Sequence, residues 1–207
     1  MPNFHINVAN ITVDSGANLL TVANNNIEKL LGGLGNDAFI FANNAELVGA
    51  IPGTFINGGG GINTIDYSAY TTPVSVNLST GAATGVNELL NVPQTGGIAN
   101  IQNVIGSPAG NVIWGDNGPN TFTINHDVGG GPVNDIIYGL GGDDTYIFYQ
   151  DVAWGNDVIH EDPGGGNDTF DFSHITAALN FTLTTIIQVA SALGTIATQA
   201  GLNIENL

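Results

Sequence analysis

Asp135 and Asp144 stand nine residues apart, and each sits at the end of a glycine-bearing stretch (Gly130–Asp135, Gly139–Asp144). In both units an apolar residue follows two positions on, Ile137 and Tyr146. Asp37 has the same surroundings in Gly32-Gly33-Leu34-Gly35-Asn36-Asp37-Ala38-Phe39-Ile40, as does Asp168 in 163–171, and Asp157 lies in a truncated copy, Gly155–Ile159. Glycines permit positive φ and close backbone approach, so the chain turns tightly there. A carboxylate beside a turn's carbonyl groups is a set of hard oxygen ligands, and that set suits Ca²⁺. The three residues after each Asp read as a short strand that points one apolar side chain inward.

Other chemistry is poorly supplied. The histidines are His5, His126, His160 and His174, with no H-E-x-x-H helix motif, and no G-x-S-x-G elbow occurs. His160-Glu161-Asp162, just before Pro163, could ligate a metal but reads rather as a solvated loop, and the same holds for His126-Asp127 before its glycine-rich turn. Asp143 and Asp144 form a carboxylate pair, but their place in a turn favours ligand duty. Gly58–Gly61 is followed by no Lys and is no phosphate loop. The chain is therefore expected not to be an enzyme. Tyr67, Tyr70, Tyr138, Tyr146, Phe148, Tyr149 and Trp154 are candidates for a glycan-binding face, although Tyr146 and Phe148 alternate with Thr145 and Ile147 and read as core; Trp114, before Gly115 at a turn, reads as exposed.

The elements that carry these residues recur. Gly58–Asp66 fits the same nine-residue frame with Asn63 at its sixth position. Residues 97–123 hold three weaker units, with Gln102, Asn111 and Asn120 at the sixth position and Val104, Ile113 and Phe122 at the apolar one. The frame G-G-x-G-x-D-x-U-x resembles the repeats-in-toxin (RTX), or haemolysin-type calcium-binding, repeat family. The resemblance implies an all-β chain, a parallel β-solenoid (β-roll) with Ca²⁺ held between turns on the same side. Carried over residue by residue, it implies Asp37, Asp135, Asp144, Asp168 and Asp157 as ligands, with Gly33, Gly35, Gly131, Gly142 and Gly166 placing turn carbonyls beside them. Asn63, Asn111 and Asn120 depart from the family pattern. Those turns are expected to be closed by Asn side-chain hydrogen bonds, leaving fewer ions than turns.

A longer repeat overlies the short one. Residues 59–80 align without gaps on 164–185, and 4–30 on 181–207; Phe4/Phe181, Ile27/Ile204 and Leu30/Leu207 are among the identities. This divides the chain into 1–57 with one strong unit, a repeat module at 58–162, and the start of the next module at 163–207. Longer inserted strands are expected around 68–96 and 173–200. Neither terminus reads as a solenoid cap, and uncapped repeats expose strand edges. The chain then reads as one period of a longer array or as a subunit that stacks head to tail.

Composition narrows the class. The 207 residues include 30 Gly and 27 Asn, which suits a turn-rich fold. Formal net charge is −17, with Lys29 the only basic residue apart from His. Such a chain lacks the Lys and Arg that nucleic acids and anionic membrane surfaces require. Without counter-ions its acidic groups repel one another. There is no Cys. The first ten residues show no basic or apolar signal-peptide region, and the family resemblance implies an extracellular or cell-surface protein exported by another signal. Residues 175–204 carry no charge, yet Leu179, Phe181 and Leu183 alternate with polar residues, a strand period rather than that of a membrane helix. The expected function is structural: a calcium-stabilised extracellular repeat module stacking end to end in a filament, surface layer or giant tandem protein. Alternatives are an adhesin module that binds glycan or another cell surface, and the non-catalytic C-terminal roll of a secreted hydrolase.

Overall fold

The computed structural model describes residues 2–7, 10–15, 18–23, 27–47, 55–86, 88–89, 92–93, 95–125, 132–149, 155–183, 187–191 and 194–198. Regular structure among them is all strand, with no helix. It forms a nine-stranded, an eight-stranded, a three-stranded and a two-stranded sheet, mostly parallel.

In the nine-stranded sheet the parallel run is Thr169–Asp171, Thr145–Phe148, Thr121–Ile124, Asn103–Ile105, Thr64–Asp66, Ala38–Phe41 and Asn3–Ile6. In the eight-stranded sheet it is Gly194–Thr198, Gly155–Glu161, Ile136–Leu140, Val112–Trp114 and Ser75–Asn77. From Asn103 to Asp171 consecutive strands alternate between these two sheets. The nine-residue units explain this order. Each supplies one turn and one short strand, so the next strand must lie on the other side. Register follows the repeat: Val104, Phe122, Tyr146 and Phe170 stand side by side across the nine-stranded sheet. All four are buried, as are their counterparts Ile113, Ile137 and Ile159 opposite. The inward residues of both sheets form one apolar cluster that includes Tyr67, Phe39, Phe41 and Phe148. Aromatic stacking runs along it, for example Phe122 on Tyr146 at 5.3 Å.

The stretch 68–96 departs from expectation. It breaks into strands of two or three residues, Ser75–Asn77, Ala82–Ala83, Glu88–Leu89 and Val92–Pro93. Gly81 and Gly85 adopt positive φ (72° and 77°) and turn the chain before a longer strand is built. The stretch 173–200 does hold longer strands, Asn180–Leu183, Ile187–Ser191 and Gly194–Thr198. They form an antiparallel meander. No helix among the described residues is long and apolar enough to cross a membrane.

The 4–30/181–207 repeat is visible as a second such meander, Asn3–Ile6, Asn10–Ser15 and Asn18–Ala23. Phe4 pairs with Val13, and the equivalent Phe181 pairs with Val189. The two meanders attach differently. The first joins the nine-stranded sheet by its first strand, against Ala38–Phe41. The second joins the eight-stranded sheet by its third, against Gly155–Glu161.

Candidate metal centre

The sixth residue of each unit lies two positions before the inward apolar one, so strand alternation turns it inward as well. Asp37, Asp135, Asp144, Asp157 and Asp168 are all 3% exposed or less, and Asn63, Asn111 and Asn120 are equally buried. They form two ladders, one along each sheet. Along the nine-stranded sheet the Asp37 amide donates to Asn63 Oδ1 (2.8 Å) and the Asn63 amide to Gln102 Oε1 (2.9 Å). Farther along, the Asn120 amide donates to Asp144 Oδ1 (2.8 Å) and the Asp144 amide to Asp168 Oδ1 (2.9 Å). Along the eight-stranded sheet the Val74 amide donates to Asn111 Oδ1, the Asn111 amide to Asp135 Oδ1, and the Asp135 amide to Asp157 Oδ1.

Asn and Asp differ in one respect that matters here. Asn63 Nδ2 donates to the carbonyls of Gly60 (3.2 Å) and Asn100 (2.9 Å), and Asn111 Nδ2 donates to the Ser107 carbonyl (2.8 Å). The Asn turns are closed by their own amides, as the sequence suggests. An ionised Asp has the same shape but no donor. Asp37 Oδ2 accepts from the Gly33 amide (2.6 Å), whereas its buried Oδ1 accepts no hydrogen bond among the described residues. Asp144 Oδ2 is in the same position.

Around Asp144 the carboxylates converge. Asp144, Glu161 and Asp168 are all buried and offer oxygen atoms within 4.8 Å of one another. Asp144 and Asp168 come from neighbouring turns of one ladder, 24 residues apart. Glu161 comes from the end of Gly155–Glu161. Burial pushes the Asp144 carboxyl up to about 8; the Asn120 amide opposes the shift, and the charges of Glu161, Asp168 and Asp116 add to it. The Tyr146 hydroxyl donates to Glu161 Oε1. Its own ionisation is driven well above the usual phenol range by burial first and by the nearby carboxylates second. Three carboxylates this close and this dry are stable only with protons or a cation among them.

Glu161 corrects the sequence reading. His160-Glu161-Asp162 is not a solvated loop: Asp157, Ile159 and Glu161 alternate inward along one strand. The signal was available as a period of two counted from Asp157. His160 points outward and stacks on Tyr138 at 4.3 Å, and Tyr138 stacks on Trp114 at 5.3 Å. Trp114 is therefore half-buried in a ring stack.

The other sequence-derived site residues fall as follows. Asp135 and Asp157 are ladder neighbours on the other sheet, and Asp37 sits beside Asn63, away from any second carboxylate of its ladder. Gly142 (φ 106°) and Gly166 are positions where successive turns touch. A Cβ on Gly142 would lie 2.4 Å from the Gly118 carbonyl carbon, and one on Gly166 would lie 2.0 Å from the Gly142 oxygen. Gly33 and Gly35 face open space. Gly131 lies outside the described residues, as do His126, Asp127 and Trp154. Comparison with protein-family models and with curated proteins finds no match for this chain.

Proposed function

We propose that the chain is a calcium-stabilised structural module of an extracellular repeat protein, a parallel β-solenoid of the β-roll type whose coils are tied together by cations at Asp turns and by amides at Asn turns. The observation that carries this reading is the Asp144–Glu161–Asp168 cluster, in which a 1%-exposed carboxylate keeps one oxygen without a hydrogen bond. Asp144, Asp168 and Glu161 would hold the ion. A bound divalent cation supplies charge neutralisation and nothing else is asked of it. Calcium is favoured over magnesium because dedicated all-protein oxygen cages suit Ca²⁺, while Mg²⁺ keeps several waters. The other ladder positions are Asn, Gln, the lone Asp37 or the Asp135–Asp157 pair, which no third carboxylate joins among the described residues, so ions number fewer than coils. The net charge of −17 is relieved by the same binding.

The structural role is favoured over glycan adhesion by the ring stack. Trp114, Tyr138 and His160 cover one another's faces, and a sugar stacks on ring faces. Titration calorimetry with CaCl₂ tests the reading. Binding that is lost in Asp168→Asn together with Glu161→Gln supports it; heat that both substitutions leave unchanged rejects the cluster as the site.

A further inference from the structure

The two ends of the molecule are stepped, and the steps are complementary. At one end the nine-stranded sheet overhangs by its three-stranded meander, Asn3–Ile6 to Asn18–Ala23, beyond Ala38–Phe41. Opposite it, the three-stranded sheet stops at Lys29–Leu31, the strand that the Gly32–Asp37 turn joins to Ala38–Phe41. At the other end the nine-stranded sheet stops at Thr169–Asp171, and the eight-stranded sheet overhangs by three strands, ending at Asn180–Leu183. The eight- and three-stranded sheets adjoin, because the amides of Gly97 and Ile98 both donate to the Gly81 carbonyl (2.7 and 2.9 Å). Each step is three strands, about 14 Å at the usual strand spacing.

We propose, building on the structural-module reading, that these steps interlock between two copies of this chain: Asn180–Leu183 of one copy pairs in parallel with Lys29–Leu31 of the next, and Thr169–Asp171 pairs in parallel with Asn18–Ala23. Among the described residues none of these four outer edges carries a strand. Their repeat equivalents do. Phe181 corresponds to Phe4 and to Val76, which lie in strands paired in parallel with Ala38–Phe41 and Val112–Trp114. Phe4 and Val76 are buried by that pairing, whereas Phe181 is 43% exposed. Thr169–Asp171 corresponds to Thr64–Asp66, which is paired on both sides. Every strand keeps its direction under a simple translation, so the contact repeats without closing.

Charge selects a second copy as the occupant. In a chain of net −17, residues 175–204 carry no charge, and the strand they would meet holds the sole lysine, Lys29. In each pairing at least one strand, Asn180–Leu183 or Asn18–Ala23, carries no charge, so the paired strands set no two carboxylates side by side. With inward faces aligned, Phe181 stands beside Leu30 and Thr182 beside Leu31, which is 62% exposed in the isolated copy.

The test is oligomeric state and cross-linking of the full chain in calcium. Wild type is expected to sediment as concentration-dependent multimers, and Leu31→Asp to shift them to monomer while keeping the β circular-dichroism spectrum. The chain has no Cys, so a variant carrying both Thr182→Cys and Leu31→Cys is expected to give a covalent ladder on oxidation, while each single variant, with only one thiol at each joint, gives none. A strictly monomeric wild type assigns these edges to other polypeptide and overturns the joint, even if calcium still raises the melting temperature. Multimers that ignore Leu31→Asp and yield no ladder overturn this pairing while stacking by another surface stands.

Discussion

The backbone amide of Asp144 donates to Asp168 Oδ1 at 2.9 Å, 24 residues on in the next turn of the ladder, while Asp144 Oδ2 is buried without a hydrogen bond. One residue thus ties two turns together and leaves between them a carboxyl that must hold a proton or meet a cation. In Asn turns the same position carries its own donor. The difference between tie and liability is one atom, and it yields opposite expectations for opposite substitutions.

Asp144→Asn is expected to stabilise the calcium-free protein above about pH 8, where it removes a buried charge and adds a donor. Leaving a buried polar group unsatisfied costs about 1–3 kcal/mol, so the gain is of that order. The variant should also lose most of its response to calcium. Chemical denaturation of both proteins with and without chelator checks this; a less stable variant in chelator contradicts it.

Asn63→Asp runs the other way. It deletes the donations to the Gly60 and Asn100 carbonyls and buries a second charge near Asp37. Stability in chelator is expected to fall by about 2–3 kcal/mol, with partial recovery in calcium. A neutral effect in chelator would show that the Asn amide is not what closes the turn.

Without metal, stability is expected to fall as pH rises. The Asp144 carboxyl is pushed up to about 8 in the fold from an ordinary value of 3.8. Between those values the native state holds a proton that the unfolded state has released, so stability declines with pH by at most about 1.4 kcal/mol per unit. It is fully present below the ordinary value and lost through about 8. Melting curves in chelator across this window give the slope, and calcium should flatten it. A rising slope contradicts the buried-carboxylate account.

Gly142→Ala is expected to destabilise by more than about 2 kcal/mol, since φ is 106° and the added Cβ would sit 2.4 Å from backbone of the neighbouring coil. Gly33→Ala is the control, because a Cβ there meets nothing within 4 Å. Equal losses in both would show that coil contact is not the cause.

The all-β class, the turn positions and the identity of most inward residues were legible in the sequence, because the nine-residue frame couples a glycine turn to a fixed inward apolar position. Asp144 with Asp168 was legible for the same reason. Glu161 reads as loop rather than ligand because its neighbours His160 and Asp162 are polar and Pro163 follows. Only counting alternation from Asp157 places it inward. The short strands of 68–96 were misjudged because alternating apolar residues outweighed Gly81 and Gly85. The two meanders appear in the sequence as an internal repeat, but the repeat does not say which strand of each joins a sheet: the first attaches by its first strand, Asn3 beside Ala38, and the second by its third, Gly194 beside Gly155.

The most direct test is the melting temperature of the wild-type chain in chelator and in saturating CaCl₂. Ligand at about 100 times its dissociation constant adds about 2.7 kcal/mol to native stability, which for a chain of this size corresponds to a rise of about 5–10 °C. The account predicts that rise, with a smaller one in MgCl₂. Identical melting in chelator and calcium would contradict it.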